Sequence, residues 1–150
     1  MSERISVRIE MAQSWRYASG EVMERFSQGL LEKRIEAMQC GGCQRRYLPP
    51  RPVCGNCHLP LADWVPVSDE GTLEAWTVVY LPFLDGRTGD VRDGPYGMGL
   101  IRLDGADTTL NHFIGENDPS RLAVGMRVRV VWRDELRGAM DDIEHFEVLP

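Results

Sequence analysis

Cysteine occurs at four positions only, histidine at three, and no apolar run in the 150 residues approaches the roughly 18 needed to span a bilayer. The start, Met-Ser-Glu-Arg, lacks the apolar core of a secretory leader, which predicts a cytoplasmic protein without disulfides. Positive charge is not in excess: the formal net charge is −6. Neither a P-loop nor a dinucleotide fingerprint is present. The Gly94-Pro95-Tyr96-Gly97-Met98-Gly99 run leads into a strand pattern rather than a helix, so it reads as a turn and a closely packed strand start. His58, His112 and His145 are scattered, and the carboxylates sit mostly in turn sequences. No nucleophile has a visible partner, which predicts a chain that is not an enzyme on its own.

The cysteines that do occur are grouped as Cys40-Gly-Gly-Cys43 and Cys54-Gly-Asn-Cys57. Two such knuckles, ten residues apart, can surround one tetrahedral ion with four thiolates. Zinc prefers these soft ligands, and four of them leave no open position for water or substrate, so the expected role is structural. An iron of the rubredoxin type uses the same ligand set and stays open as the alternative. Glycines within the knuckles are expected to let backbone N–H groups turn towards the sulfurs.

With 43% hydrophobic and 27% charged residues the chain is globular, and it divides into three segments. Residues 1–38 form an N-terminal arm. Ile5, Val7, Ile9 and Met11 alternate with polar residues, as in a half-buried strand. A helix follows, with Ser19 as N-cap and Val22, Met23, Phe26 and Leu30 on one face. Gly29 marks its end or a tight contact. Residues 39–65 form the ribbon, stiffened by Pro49, Pro50 and Pro52. Residues 66–150 read as all-β, with strands over 72–80, 96–103, 108–114, 126–133 and 143–149, which fit a five-stranded OB-type barrel. The 81–95 stretch between the first two is a long Gly/Asp/Pro-rich loop. The predicted fold class is therefore mainly β.

Charge separates two functional readings. The arm is neutral; residues 40–65 carry three arginines against Asp63; residues 66–150 carry eight basic against sixteen acidic groups, a net −8. An OB barrel that binds single-stranded nucleic acid needs a basic groove. Arg127, Arg129 and Arg133 make only a narrow stripe, which reads as a solvated face. Nucleic-acid binding stays as an alternative, as does a rubredoxin-like electron carrier. The arm points elsewhere: its strand has no nearby partner, and its helix has an apolar face to bury. Docking on another protein is one outcome, with Trp15, Tyr17, Phe26 and Leu30 as candidate anchors. Folding of the helix back on the barrel is the other.

The order of Trp15-Arg-Tyr17, Gly20, Phe26 and Leu30, the two knuckles with Pro49-Pro50-Arg51-Pro52 between them, Gly71-Thr72, Leu103-Asp104-Gly105 and Gly125-Met126-x-Val128 resembles the acyl-CoA-associated zinc-ribbon/OB-fold proteins of bacteria and archaea. The resemblance implies a helical N-terminus, a rubredoxin-like ribbon with one structural zinc on Cys40, Cys43, Cys54 and Cys57, and a C-terminal OB fold. It also implies a hetero-oligomeric context. Such proteins are small companions of thiolase-superfamily enzymes, contributing contacts, ordering or CoA-thioester binding while the larger subunit carries the catalytic cysteine. The Trp15-x-Tyr17 opening is similar to that of small subunits of thiolases in aromatic degradation, such as benzoylsuccinyl-CoA thiolase. Arg45, Arg46 and Arg51 are candidates for CoA phosphates, or equally for compensating the ribbon's own thiolate charge.

Overall fold

The computed structural model describes residues 18–84 and 89–150. The Ile5–Met11 strand pattern and the anchors Trp15 and Tyr17 lie outside the described residues.

Helix α1 (Gly20–Leu31) forms where the apolar residues recur at helical spacing. Ser19 precedes it, but its side chain makes no capping hydrogen bond, contrary to the expectation from its residue type. The helix is closed at its other end. The carbonyl of Gly29 accepts the N–H groups of Glu32 and Arg34 at 3.0 and 2.9 Å. A Cβ on Gly29 would stand 3.0 Å from the Arg34 carbonyl oxygen, so the tight chain reversal needs glycine there.

Three short strands build the ribbon sheet: β1 (Glu36–Gln39), β2 (Arg46–Tyr47) and β3 (Asp63–Pro66), ordered β2-β1-β3 and antiparallel. Beyond them, β4 (Glu70–Val79), β7 (Tyr96–Leu103), β8 (Leu110–Ile114), β9 (Arg127–Trp132) and β10 (Ile143–Val148) close a five-stranded barrel in the order β10-β8-β7-β4-β9. These are the five strands that period-two alternation predicts. Closure runs through a parallel pairing of β8 with β10. Inward-facing Gly97 and Gly99 on β7 make room for it: a Cβ on Gly99 would collide with Leu73 and Ile114. The described residues of the stretch between β4 and β7 include strands that its composition does not predict. It holds a small hairpin, β5 (Phe83–Leu84) with β6 (Val91–Arg92).

The sequence suggests that ribbon and barrel each keep a core of their own; the ribbon does keep a small one, of Met38, Cys40, Tyr47, Cys54 and Leu61, but the larger core is shared. Phe26 and Leu30 of α1, Ile35 and Leu48 of the ribbon segment, and Leu73, Ile101 and Phe146 of the barrel pack in a single cluster. Phe26 is 1% exposed and Leu30 0%. These two proposed partner anchors are therefore corrected: the helix folds back and buries its apolar face internally. The physical reason is that a small barrel leaves apolar side chains uncovered at one end, and the nearest apolar surface in the chain covers them.

Polar contacts lock ribbon to barrel as well. The Arg46 N–H donates to the Asp107 carboxylate at 2.8 Å, and the Asp107 N–H donates back to the Arg46 carbonyl at 2.9 Å. Thr108 Oγ1 accepts the Leu48 N–H and donates to the Leu48 carbonyl, both at 2.7 Å. No helix of the described residues is long and apolar enough to cross a membrane.

Candidate metal centre and its surroundings

Each knuckle is the same turn made twice. The N–H of Gln44 donates to the Cys40 carbonyl at 2.8 Å, and the N–H of His58 donates to the Cys54 carbonyl at 3.0 Å. Gln44 and His58 both take left-handed backbone angles, φ 62° and 56°, directly after the second cysteine of their knuckles. His58 thus serves the turn through its backbone.

The turns bring the four sulfurs of Cys40, Cys43, Cys54 and Cys57 within 4.8 Å of one another. Cys43 Sγ and Cys54 Sγ are 3.7 Å apart. A tetrahedral zinc with Zn–S bonds of about 2.3 Å requires S···S edges of about 3.8 Å. The geometry fits, and the four cysteines form a zinc-ribbon site. Zinc here would supply a structural cross-link, since all four positions are taken by protein.

Backbone donors converge on Cys54, as the knuckle glycines lead one to expect, but the donors are the following residues. Asn56 N–H and Cys57 N–H point at Cys54 Sγ at 3.4 and 3.3 Å. Tyr47, on β2, adds a relay: it accepts the Gly55 N–H at 3.1 Å, and its hydroxyl lies 3.2 Å from Cys54 Sγ. The Tyr47 hydrogen bond, supported by these N–H groups, draws the Cys54 thiol down to about 5. Cys43 is also lowered, first by the backbone N–H of Arg45. Cys57 moves the other way, up to about 12, first because its thiol is held in a hydrogen bond with the Cys43 sulfur and then because burial disfavours its charge. Crowded sulfurs without a cation divide into thiolates and thiols in this way; a bound dication removes the conflict and favours four thiolates.

The three ribbon arginines do not act alike. Arg46 braces the barrel, its guanidinium donating to the Gly105 carbonyl at 3.3 Å. Arg51 lies over the Tyr47 ring, 4.7 Å from its centroid. Arg45 lines an open pocket of about 340 Å³ with Cys43, Gln44, Asn56 and Asp107. Arg25, unremarked in the sequence, covers the ring of Trp64 at 4.5 Å and ties α1 to the ribbon.

On the barrel, the expected basic stripe is largely neutralised. Arg127 pairs with Asp104 and Glu70, and Arg129 with Glu147. His112 is buried, and its Nε2–H donates to the Met140 carbonyl at 3.3 Å, a structural position. Asp142, 1% exposed, accepts three N–H groups from Arg137, Gly138 and Ala139 and so folds the loop that packs on α1. Sequence spacing carries no signal for that buried carboxylate beyond the turn character of the loop.

Two family profiles match the chain: "ChsH2, rubredoxin-like zinc ribbon domain" over residues 27–58 and "ChsH2, C-terminal OB-fold domain" over residues 64–133. No individual curated protein matches it. Among solved structures, a DUF35-family protein of unknown function from Sulfolobus solfataricus is similar at a TM-score of 0.60 and 22% identity, over 86% of this chain and 84% of that one. An Ltp2–ChsH2(DUF35) aldolase is similar at a TM-score of 0.63 and 20% identity, over 89% and 97%. At these identities the structural likeness establishes a shared fold.

Proposed function

The chain belongs to the ChsH2/DUF35 family of zinc-ribbon and OB-fold proteins, and on that premise we propose that it is a non-catalytic subunit of a thiolase-type acyl-CoA enzyme, supporting assembly, ordering or CoA-thioester binding. One observation carries the reading: all four thiols of the chain are gathered in one closed metal site. Covalent acyl chemistry of the thiolase kind needs a free, activated cysteine, so that group has to come from another chain. The fold shared with an Ltp2–ChsH2(DUF35) aldolase supports association with a larger enzyme subunit.

The burial of Phe26 and Leu30 moves the partner surface elsewhere. Trp15 and Tyr17 remain proposed anchors. Around the β5–β6 hairpin, Tyr80, Leu81, Leu84 and Val91 are 70%, 74%, 63% and 58% exposed, and apolar side chains held in water this way favour contact with a partner. Of the three arginines proposed for CoA phosphates, Arg46 and Arg51 make internal contacts, which leaves Arg45 the most available.

Co-expression with a thiolase-superfamily protein from the same organism, followed by size exclusion, tests the proposal. The two chains are expected to elute together, and the thiolase activity to depend on the small chain. Separate elution with a fully active thiolase alone would refute it.

A further inference from the structure

The four sulfurs of the metal centre are not equally covered. Cys40 and Cys54 are buried, whereas Cys43 and Cys57 are half-buried. Cys54 is engaged by the N–H groups of Asn56 and Cys57 and by the Tyr47 hydroxyl. Gly42 and Leu59 screen the side of Cys40 and Cys57: a Cβ on Gly42 would stand 2.9 Å from Leu59 Cδ1 and 3.7 Å from both sulfurs. Asn56 Nδ2 also lies 3.7 Å from Cys57 Sγ. Cys43 is the sulfur left open.

Cys43 is the one cysteine in the lining of the open pocket of about 340 Å³ that Gln44, Arg45, Asn56 and Asp107 complete. The single acid of that lining, Asp107, is occupied by the Arg46 N–H. Arg45 is exposed and pairs with no carboxylate among the described residues. Behind Cys43, on the side away from solvent, Cys54 Sγ lies 3.7 Å from its sulfur. A redox-reactive cysteine needs three things: access for a small oxidant, a cation near the oxygen that leaves, and a second sulfur within reach. Cys43 has all three.

We propose that Cys43 is an oxidation site for a hydroperoxide, with Cys54 as the resolving cysteine and loss of the metal as the result. Four thiolates around one dication remain net negative, so a sulfur that meets solvent keeps its nucleophilic character. The Cys43 sulfur attacks one peroxide oxygen, the O–O bond breaks, and the leaving oxygen takes a proton and departs as water or an alcohol. Arg45 shares the pocket in which that oxygen gains negative charge. Cys43 then carries a sulfenic acid. The Cys54 sulfur attacks the Cys43 sulfur, the S–O bond breaks, and the second oxygen leaves as water after taking a proton. Two thiolates have given two electrons to the peroxide and formed one disulfide. The two cysteines that remain no longer close a tetrahedral site. The proposal concerns this chain by itself and does not rest on the acyl-CoA reading.

Titration of the reduced, zinc-loaded full chain with hydrogen peroxide tests this. A colorimetric chelator reads the zinc released, and peptide mass spectrometry reads the thiols. Zinc is expected to leave in step with disulfide formation, and reduction with added zinc to restore it. At limiting peroxide, dimedone should label Cys43 first, and the first disulfide should join Cys43 to Cys54. Arg45→Met is expected to slow the release about tenfold, by loss of charge stabilisation at the leaving oxygen. Because Arg45 is exposed, that variant should keep the parental melting temperature and, without peroxide, the parental zinc affinity. Zinc retained in excess peroxide would overturn the site. So would a first adduct on another cysteine, a first disulfide that leaves out Cys43 or Cys54, or release from Arg45→Met at the parental rate.

Discussion

The hydroxyl of Tyr47 lies 3.2 Å from Cys54 Sγ and 3.1 Å from the N–H of Gly55, one residue along. Because that N–H donates to the oxygen, the hydroxyl hydrogen is left for the sulfur, and the ring orients a metal ligand it does not itself replace. Tyr47→Phe keeps the buried ring and removes the bond. Groups of this kind contribute about tenfold to a hundredfold to metal affinity. Chelator competition should show zinc released more readily from the variant, with the fold intact in excess zinc. Equal zinc retention would count against the relay.

Metal-free protein should carry a thiolate far below the usual thiol range. Cys54 falls from 9.0 to about 5. A thiol with a depressed folded value stabilises the fold fully above 9.0, and the contribution disappears as pH falls through about 5. Thiolate absorbance of the chelated, reduced chain should therefore show a step near pH 5 that is absent in Cys54→Ser.

Phe26→Ala should destabilise the chain by about 3–5 kcal/mol, as expected for an aromatic truncated in a core, and Leu30→Ala by about 2–5 kcal/mol. Urea denaturation measures both. Neither should change partner affinity beyond what unfolding explains. A loss of partner binding at unchanged stability would restore these residues as surface anchors.

The joint between ribbon and barrel depends on Thr108, whose hydroxyl serves both backbone groups of Leu48. Thr108→Val leaves those groups without their partner at about 1–3 kcal/mol each. Hydrogen exchange at the Leu48 amide should accelerate, while amides inside the barrel strands stay protected.

Burial lowers the His112 value from 6.5, with His145 and Arg92 adding to the effect. The folded chain resists a proton that the unfolded chain accepts, so stability is lost as pH drops below 6.5. With zinc in excess, melting temperatures above and below that pH should diverge in the parent. His112→Gln should flatten the difference.

The metal ligands and barrel strands were legible because their signals are local. A Cys-x-x-Cys knuckle is complete in a few residues, and alternation on β9 exposes Arg127 and Arg129 while hiding Val128 and Val130. The two-residue strands β2, β5 and β6 are too short for a period to show. Arg46 and Arg51 look like neighbours of Arg45 in an anion site, yet one braces the barrel and the other covers Tyr47.

What this sequence determined alone was the four-thiolate centre, the five barrel strands and the helix with its apolar stripe, all set by short-range spacing. Only the tertiary structure decided what that stripe covers. Burial of Phe26 and Leu30 depends on where the barrel leaves apolar surface open, which involves residues more than a hundred positions away, such as Phe146. The same holds for the cavity that Phe83, Arg92, Phe113 and Arg133 line together. Hydrophobic burial and cross-strand register act through space, and chain order does not record which distant partner satisfies them.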